Sequence, residues 1–171
     1  MGQVLQFEEI PTLRDELRQR GLRVVLTNGH FDLLHTGHTR YLAQARALGD
    51  ILIVGINDDS TTRSRKGPRR PILPEDERAE LVAALACVDY TVIFSEPTAD
   101  RLISLVQPDI YVKGGDYTVD PRGSGTLLPE VGTVHKIGGE IRILNLESGQ
   151  STSKIEQRII DRWQRNGQEG P

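Results

Sequence analysis

The strongest constraint on this chain is an alternation: short apolar runs rich in β-branched residues give way, again and again, to stretches with helical periodicity. Residues 22–27 form the first run, which ends at the turn signal Asn28-Gly29. From Gly37 the apolar residues Tyr41, Leu42, Ala45 and Leu48 recur at helical spacing, with Gly49 as the expected C-cap. Residues 51–56, 90–94, 109–112 and 141–146 then read as strands, and residues 74–85 and 99–106 as helices between them. Such alternation predicts a Rossmann-like, doubly wound α/β fold, with a parallel sheet of about five strands and helices on both faces. A helix around residues 13–20 is expected to pack outside the sheet. A last helix opens at Ser151, has capping-box spacing at Ser153 and Glu156, and carries Ile155, Ile159 and Trp163 as its apolar stripe.

At 171 residues the chain suits one domain, residues 1–171, with a core at about 22–163, an N-terminal helical extension at 1–21 and a frayed tail at 166–171. No internal repeat and no long linker divides it. The formal net charge of −3 offers no general attraction to nucleic acid or an anionic membrane, so anionic ligands must meet local clusters of positive groups. We therefore expect no nucleic acid partner and no membrane. The single Cys87 cannot form an internal disulfide, and its apolar surroundings predict a buried, inert thiol. There is no signal peptide pattern and no span of roughly 20 apolar residues, and Gln6 spoils the myristoylation pattern begun by Gly2, so a cytoplasmic location is expected.

Two segments interrupt the regular pattern: residues 58–73, containing Arg63, Arg65, Lys66, Arg69 and Arg70, and residues 116–128, rich in Gly, Asp and Pro. Both are expected to be loops at the carboxyl edge of the sheet, where open parallel sheets bind ligands.

The segment from Gly29 to His38 carries the chemistry. His35 and His38 flank Gly37 at a helix start, and residues at i and i+3 face one side of a helix, so both imidazoles can address one spot. A helix N-terminus offers free N–H groups to a phosphate, and Gly37 lets the phosphate approach the backbone. Zinc is disfavoured, because Cys87 stands alone and His135 is distant in sequence. The absence of G-x-G-x-x-G after the first strand removes the main support for an NAD-dependent oxidoreductase. No aromatic residues are interleaved with the arginine-rich run, which weakens an RNA-binding reading. A non-catalytic nucleotide-binding module is the rival from another class.

His35-Thr36-Gly37-His38, following Gly29-His30-Phe31-Asp32, resembles the HxGH signature of the nucleotidyltransferase superfamily. The resemblance extends through Val54-Gly55-Ile56-Asn57-Asp58-Asp59, Arg78 with Ala83-Ala84-Leu85, Val112-Lys113-Gly114-Gly115-Asp116-Tyr117 and Ser151-Thr152-Ser153. Over roughly residues 22–163 the chain is similar to the adenylyltransferase domain of ADP-heptose synthase, in its stand-alone form. Two departures stand out: His30 occupies a position where that family usually has Cys, and residues 120–130 do not follow its pattern, so acceptor recognition is expected to differ there.

The resemblance implies transfer of AMP from ATP to D-glycero-β-D-manno-heptose 1-phosphate, with Mg2+ bridging phosphate oxygens rather than held by protein ligands. A cytidylyltransferase acting on glycerol 3-phosphate or a similar alcohol phosphate is the alternative within the class. His35, His38 and Lys66 are the expected catalytic residues. Asn28, Gly29, His30, Phe31, Gly37, Gly114, Gly115, Asp116, Ser151, Thr152 and Ser153 are expected around the nucleotide. Asp32, Asn57 and Arg78 are expected at the acceptor, and the assembly is expected to be a homo-oligomer such as a dimer.

Overall fold

The computed structural model describes residues 2–115, 117–120, 122, 124–145 and 151–166, with side chains up to residue 164. The sheet-forming strands are β1 (Gln3–Leu5), β2 (Val24–Gly29), β3 (Ile51–Asn57), β4 (Tyr90–Phe94), β5 (Ile110–Gly114) and β8 (Glu140–Leu144). They lie in the order β1-β4-β3-β2-β5-β8, and every pairing is parallel. Between them run α1 (Ile10–Gln19), α2 (Thr36–Arg46), α3 (Asp59–Lys66), α4 (Glu75–Ala83), α5 (Asp100–Val106) and α6 (Val131–Lys136), and α7 (Thr152–Asn166) follows β8. A small ladder pairs β6 (Tyr117–Thr118) with β7 (Thr126–Leu127).

Strand residues alternate between two separate apolar clusters, as a sheet covered on both faces requires. Val24, Leu26, Ile53, Val92, Phe94 and Tyr111 pack with Ile10 and Leu17 of α1, with Leu102, Ile103 and Val106 of α5, and with Val134 of α6. Val25, Leu52, Val54, Ile56, Ile110 and Val112 pack on the other face with Tyr41, Leu42 and Ala45 of α2 and with Ala79 and Val82 of α4.

The chain order places the ligand site. From β2 the chain builds outward through β3 and β4, then crosses back to lay β5 on the other side of β2. Connections leave β2 and β5 in opposite directions, which opens a crevice beyond their carboxyl ends. Asn28 and Gly29 end β2, and Lys113 and Gly114 end β5, so these residues stand at that crevice.

The structure adds a sixth strand, β1, to the five expected. It also replaces the first half of the expected 58–73 loop with the helix α3. Asp58 caps that helix by accepting from the Thr61 amide at 2.7 Å, and Gly67 ends it at φ 97°, a backbone state that favours glycine. At α7 the cap is Ser151, whose Oγ accepts from the Lys154 amide at 3.3 Å, so Ser153 is not the capping residue. The expected apolar stripe of α7 is not in the core: Ile159 is 59% exposed and Trp163 82% exposed. Full burial of such side chains contributes about 1.5–3 kcal/mol each, so α7 draws little stability from apolar packing. Cys87 is half-buried rather than buried, and desolvation raises its thiol pKa. No helix among the described residues is long and apolar enough to cross a membrane.

Candidate active site

The crevice divides into two adjoining lobes. The first, about 910 Å3, is bounded by the loop after β2, by Gly37 of α2, by residues 66–70 after α3, and by the start of α7. The second, about 410 Å3, reaches from Asn28 and Asn57 to Lys113, Gly114, Tyr117 and Glu130. His30, Phe31, His38 and Lys66 line both lobes and form the wall between them.

Local sequence explains how His38 reaches that wall. Phe31 adopts φ 45°, which turns the chain sharply after β2. A Cβ at position 29 would come within 3.0 Å of the Phe31 ring, so Gly29 is what lets the ring fold back. The ring then meets His38 edge-on, with centroids 5.2 Å apart. His35, at the N-cap position of α2, stacks on His38 with centroids 3.8 Å apart and ring planes 18° apart. Neither buried Nδ1 atom of this pair has a hydrogen-bond partner.

Burial, and then the neighbouring His35, lower the pKa of His38 to about 4. Burial lowers that of His35 as well. His30 is held at about 4 by burial and by the positive charges of Lys66, Arg65, Arg78 and Lys113. At neutral pH these imidazoles are uncharged and can act as hydrogen-bond donors or acceptors. His30 Nδ1 lies 3.0 Å from Thr62 Oγ1, which ties the wall to α3.

Two helix N-termini converge on the first lobe. α2 brings Gly37, and α7 brings Ser151, Thr152 and Ser153. Each supplies amides that its own helix cannot satisfy, together with the positive end of a helix dipole. Lys66 and Arg69 add positive charge at the same lobe. This combination suits a polyanion such as a triphosphate.

Most residues expected from sequence meet in the two lobes: Asn28, Gly29, His30, Phe31, His35, Gly37, His38, Asn57, Lys66, Gly114, Ser151, Thr152 and Ser153. Two expected acceptor residues are occupied by scaffold contacts. Arg78 is fully buried and donates to Leu73 O at 3.0 Å, His30 O at 2.5 Å and Asp59 Oδ1 at 2.7 Å. It fastens α4 to the loop after β2 and to α3, and it faces neither lobe. Asp32 borders the first lobe, but its Oδ1 accepts from the amides of Ile72 (2.7 Å) and Leu73 (3.2 Å), and its Oδ2 from Arg70 (2.7 Å). Gly115 follows β5 with φ 103°, and its amide donates to Leu144 O at 3.2 Å. Asp116 lies outside the described residues.

Four residues that were given no role from sequence stand out. Arg70 bridges Asp32 and Glu156 and so joins the loop after β2 to α7. Lys113 donates to Asn28 Oδ1 at 2.9 Å, the same oxygen that receives Tyr111 Oη at 2.6 Å. Burial lowers the pKa of Lys113, partly offset by Glu130. Glu130 and Tyr117 complete the second lobe. Lys113 and Tyr117 fall within the Lys-Gly-Gly-Asp-Tyr motif, Arg70 within the basic run of residues 58–73 and Glu130 at the end of residues 120–130, but only the motif pointed to particular side chains.

Among proteins of known type, residues 26–158 match the cytidylyltransferase-like family. The chain is 48% identical over 156 residues to the bifunctional protein HldE of Syntrophotalea carbinolica, covering 90% of this chain and 31% of that one. It is 50% identical over 142 residues to HldE of Photobacterium profundum, covering 83% of this chain and 29% of that one. The chain thus spans about a third of the length of these relatives. The crystal structure of the lipopolysaccharide core biosynthesis protein from Thermoplasma volcanium GSS1 aligns with a TM-score of 0.59 at 30% identity, over 76% of this chain and all of that one. Pantoate-beta-alanine ligase from Francisella tularensis, at 13% identity over 90% of this chain and 69% of that one, shares the fold with a TM-score of 0.58.

Proposed function

Because the chain belongs to the cytidylyltransferase-like family of nucleotidyltransferases, we propose that it transfers AMP from ATP to a sugar 1-phosphate, D-glycero-β-D-manno-heptose 1-phosphate, and releases pyrophosphate. The observation that carries the reading is the stacked His35–His38 pair, with unsatisfied ring nitrogens, between a lobe suited to a polyanion and a smaller polar lobe. The triphosphate occupies the first lobe, against Gly37 and Ser151 to Ser153. The acceptor occupies the second, so that Asn28, Gly29 and Gly114, expected around the nucleotide, would face the acceptor instead. The similarity to HldE and the Lys113 to Tyr117 motif support a heptose phosphate as the acceptor.

In the reaction an acceptor phosphate oxygen forms a bond to the α-phosphorus, and the bond from that phosphorus to the bridging oxygen of the leaving pyrophosphate breaks. The acceptor phosphate is already a nucleophile, so no covalent enzyme intermediate and no dedicated base are required. The protein's work is alignment and charge stabilisation. His38, on the wall between the lobes, donates toward the α-phosphate oxygens, and His35 orients it by stacking and donates toward the bridging region. Lys66 offsets charge as the phosphates approach.

Magnesium would be carried in on the triphosphate rather than held by protein ligands. When bound there it would stabilise negative charge on the leaving pyrophosphate.

A pyrophosphate-release assay crossing ATP, CTP, GTP and UTP with the heptose 1-phosphate, glycerol 3-phosphate and phosphoethanolamine tests the reading. The expected result is the highest kcat/KM for ATP with the heptose phosphate. A preference for CTP with glycerol 3-phosphate would reverse the substrate assignment and leave nucleotidyl transfer standing.

A further inference from the structure

Glu130 sits at the N-cap of α6 yet makes no side-chain cap to that helix. Its carboxylate turns instead toward α5, where Oε1 accepts from the Ala99 amide at 3.1 Å. That contact fixes the group in place. Glu130 is only 4% exposed, and its Oε2 is buried with no hydrogen-bond partner. A buried acceptor left unpaired is costly, so a structure that keeps one invites a donor at that point.

The residue lines the second lobe, beside Pro129, Tyr117, Lys113 and Asn57. Lys113, whose ammonium the Glu130 charge favours, directs that ammonium to Asn28 Oδ1 instead, and the pair forms no ion contact within 4.0 Å. The fold's requirement at Glu130 is met by Oε1 alone.

The charge of the group limits what it can receive. A carboxylate repels a phosphate oxygen but accepts strongly from a hydroxyl. The positive groups of the second lobe, Arg65, Lys113 and the wall residue Lys66, suit the acceptor's phosphate. Glu130 suits the uncharged polyol behind it.

We propose that Glu130 Oε2 accepts a hydrogen bond from a hydroxyl of the acceptor sugar and thereby selects a polyol ring over a shorter alcohol phosphate. This inference rests on the adenylyl-transfer reading above. It assigns a specificity role within residues 120–130, where acceptor recognition was expected to differ.

The test compares wild-type protein with Glu130→Gln, which keeps an oxygen for the Ala99 amide and replaces the other oxygen with a donor. The ratio of kcat/KM for the heptose 1-phosphate to that for glycerol 3-phosphate is expected to fall by about tenfold to a hundredfold, because a site built to pair a hydroxyl discriminates through that pairing. The KM for ATP should be unchanged. A ribose hydroxyl is the other possible source of the donor, and 2′-deoxy-ATP and 3′-deoxy-ATP distinguish it. If the Glu130→Gln effect disappeared with one of these nucleotides and persisted with every deoxy-sugar phosphate, the contact would be to ribose and the inference overturned.

A second measurement begins from the wild-type protein. Wild-type protein is assayed with sugar 1-phosphates lacking single hydroxyls. One of them should lose about tenfold or more in kcat/KM, and that loss should vanish in the variant. No such sensitive hydroxyl, or an unchanged ratio in an active Glu130→Gln protein, would overturn the inference and leave adenylyl transfer intact. Wild-type protein releasing no pyrophosphate with any sugar phosphate would overturn both.

Discussion

The rim of the first lobe and the histidines of its inner wall, which form its floor, both present polar side chains but in opposite states. At the rim, Asp32, Arg70 and Glu156 satisfy one another, and Arg78, Asp59, His30 O and Leu73 O form a second closed set behind them. At the floor, His35 and His38 carry buried nitrogens with no partner. Saturated polar groups hold loops in place, whereas unsaturated ones await a ligand. The contrast separates residues that look equally functional in the sequence.

Arg78→Ala should break the rim most severely. It leaves Asp59 and two carbonyls without their partner, and removing one member of a buried ion pair costs about 3–5 kcal/mol. The expected result in thermal denaturation is a melting temperature lowered by roughly 6–20 °C. A stable, fully active variant would contradict the scaffold role.

The floor should respond the other way. His35→Ala and His38→Ala are each expected to lower turnover by about a hundredfold or more while melting near the wild-type temperature, since one preorganised donor typically contributes that much. Pre-steady-state transfer rates, paired with melting curves, check both halves.

The pH dependence sharpens the comparison further. His30 and His38 titrate at about 4 in the fold, against 6.5 in the unfolded chain. Between those values the unfolded chain binds protons that the folded protein refuses. Stability contributed by the neutral rings is thus fully present above about pH 6.5 and is lost as pH falls toward 4. The melting temperature should decline through that window, and less steeply in His38→Ala. Added triphosphate should move His38 back up, which a histidine NMR titration would detect.

Asp32→Asn removes the charge facing Arg70 but leaves an oxygen for the Ile72 and Leu73 amides. A loss of about 1.5–3 kcal/mol is expected, the worth of a hydrogen bond to a charged group, with acceptor KM little changed. A selective rise in acceptor KM at unchanged stability would return Asp32 to the ligand. The smallest effect is expected from Lys66→Ala: about a fivefold weaker triphosphate or acceptor KM, on the scale of an exposed ion pair, with melting unaltered.

How much of this was legible in the sequence follows the same division. Residues 51–57 and 90–94 form buried parallel strands, and only a near-continuous apolar run can fill such a position, so their pattern was plain. β1 has three residues with only Leu5 buried, too few for a period to register. α3 buries just Thr61 and Thr62, so it has no apolar stripe, and its Asp58 cap was the one local sign of a helix. In the site, the juxtaposition of His35, Gly37 and His38 was readable because it depends on local spacing at a helix start. The scaffold contacts of Arg78 and Asp32 were not legible, because Asp32 meets Arg70, Ile72 and Leu73, and Arg78 meets His30 and Asp59, only after folding. For Glu130 the sequence marked only its segment, residues 120–130, because its own part lies in an oxygen that the Ala99 amide leaves unpaired.

Following the α-phosphate tests adenylyl transfer most directly. Wild-type protein is incubated with magnesium, the heptose 1-phosphate and ATP labelled at the α-phosphorus, with α-labelled CTP in a parallel reaction. The account expects label to appear in a nucleotide sugar from ATP, with one pyrophosphate released per labelled product, and far more slowly from CTP. Label that remained in the nucleotide under all of these conditions would contradict adenylyl transfer to a sugar phosphate.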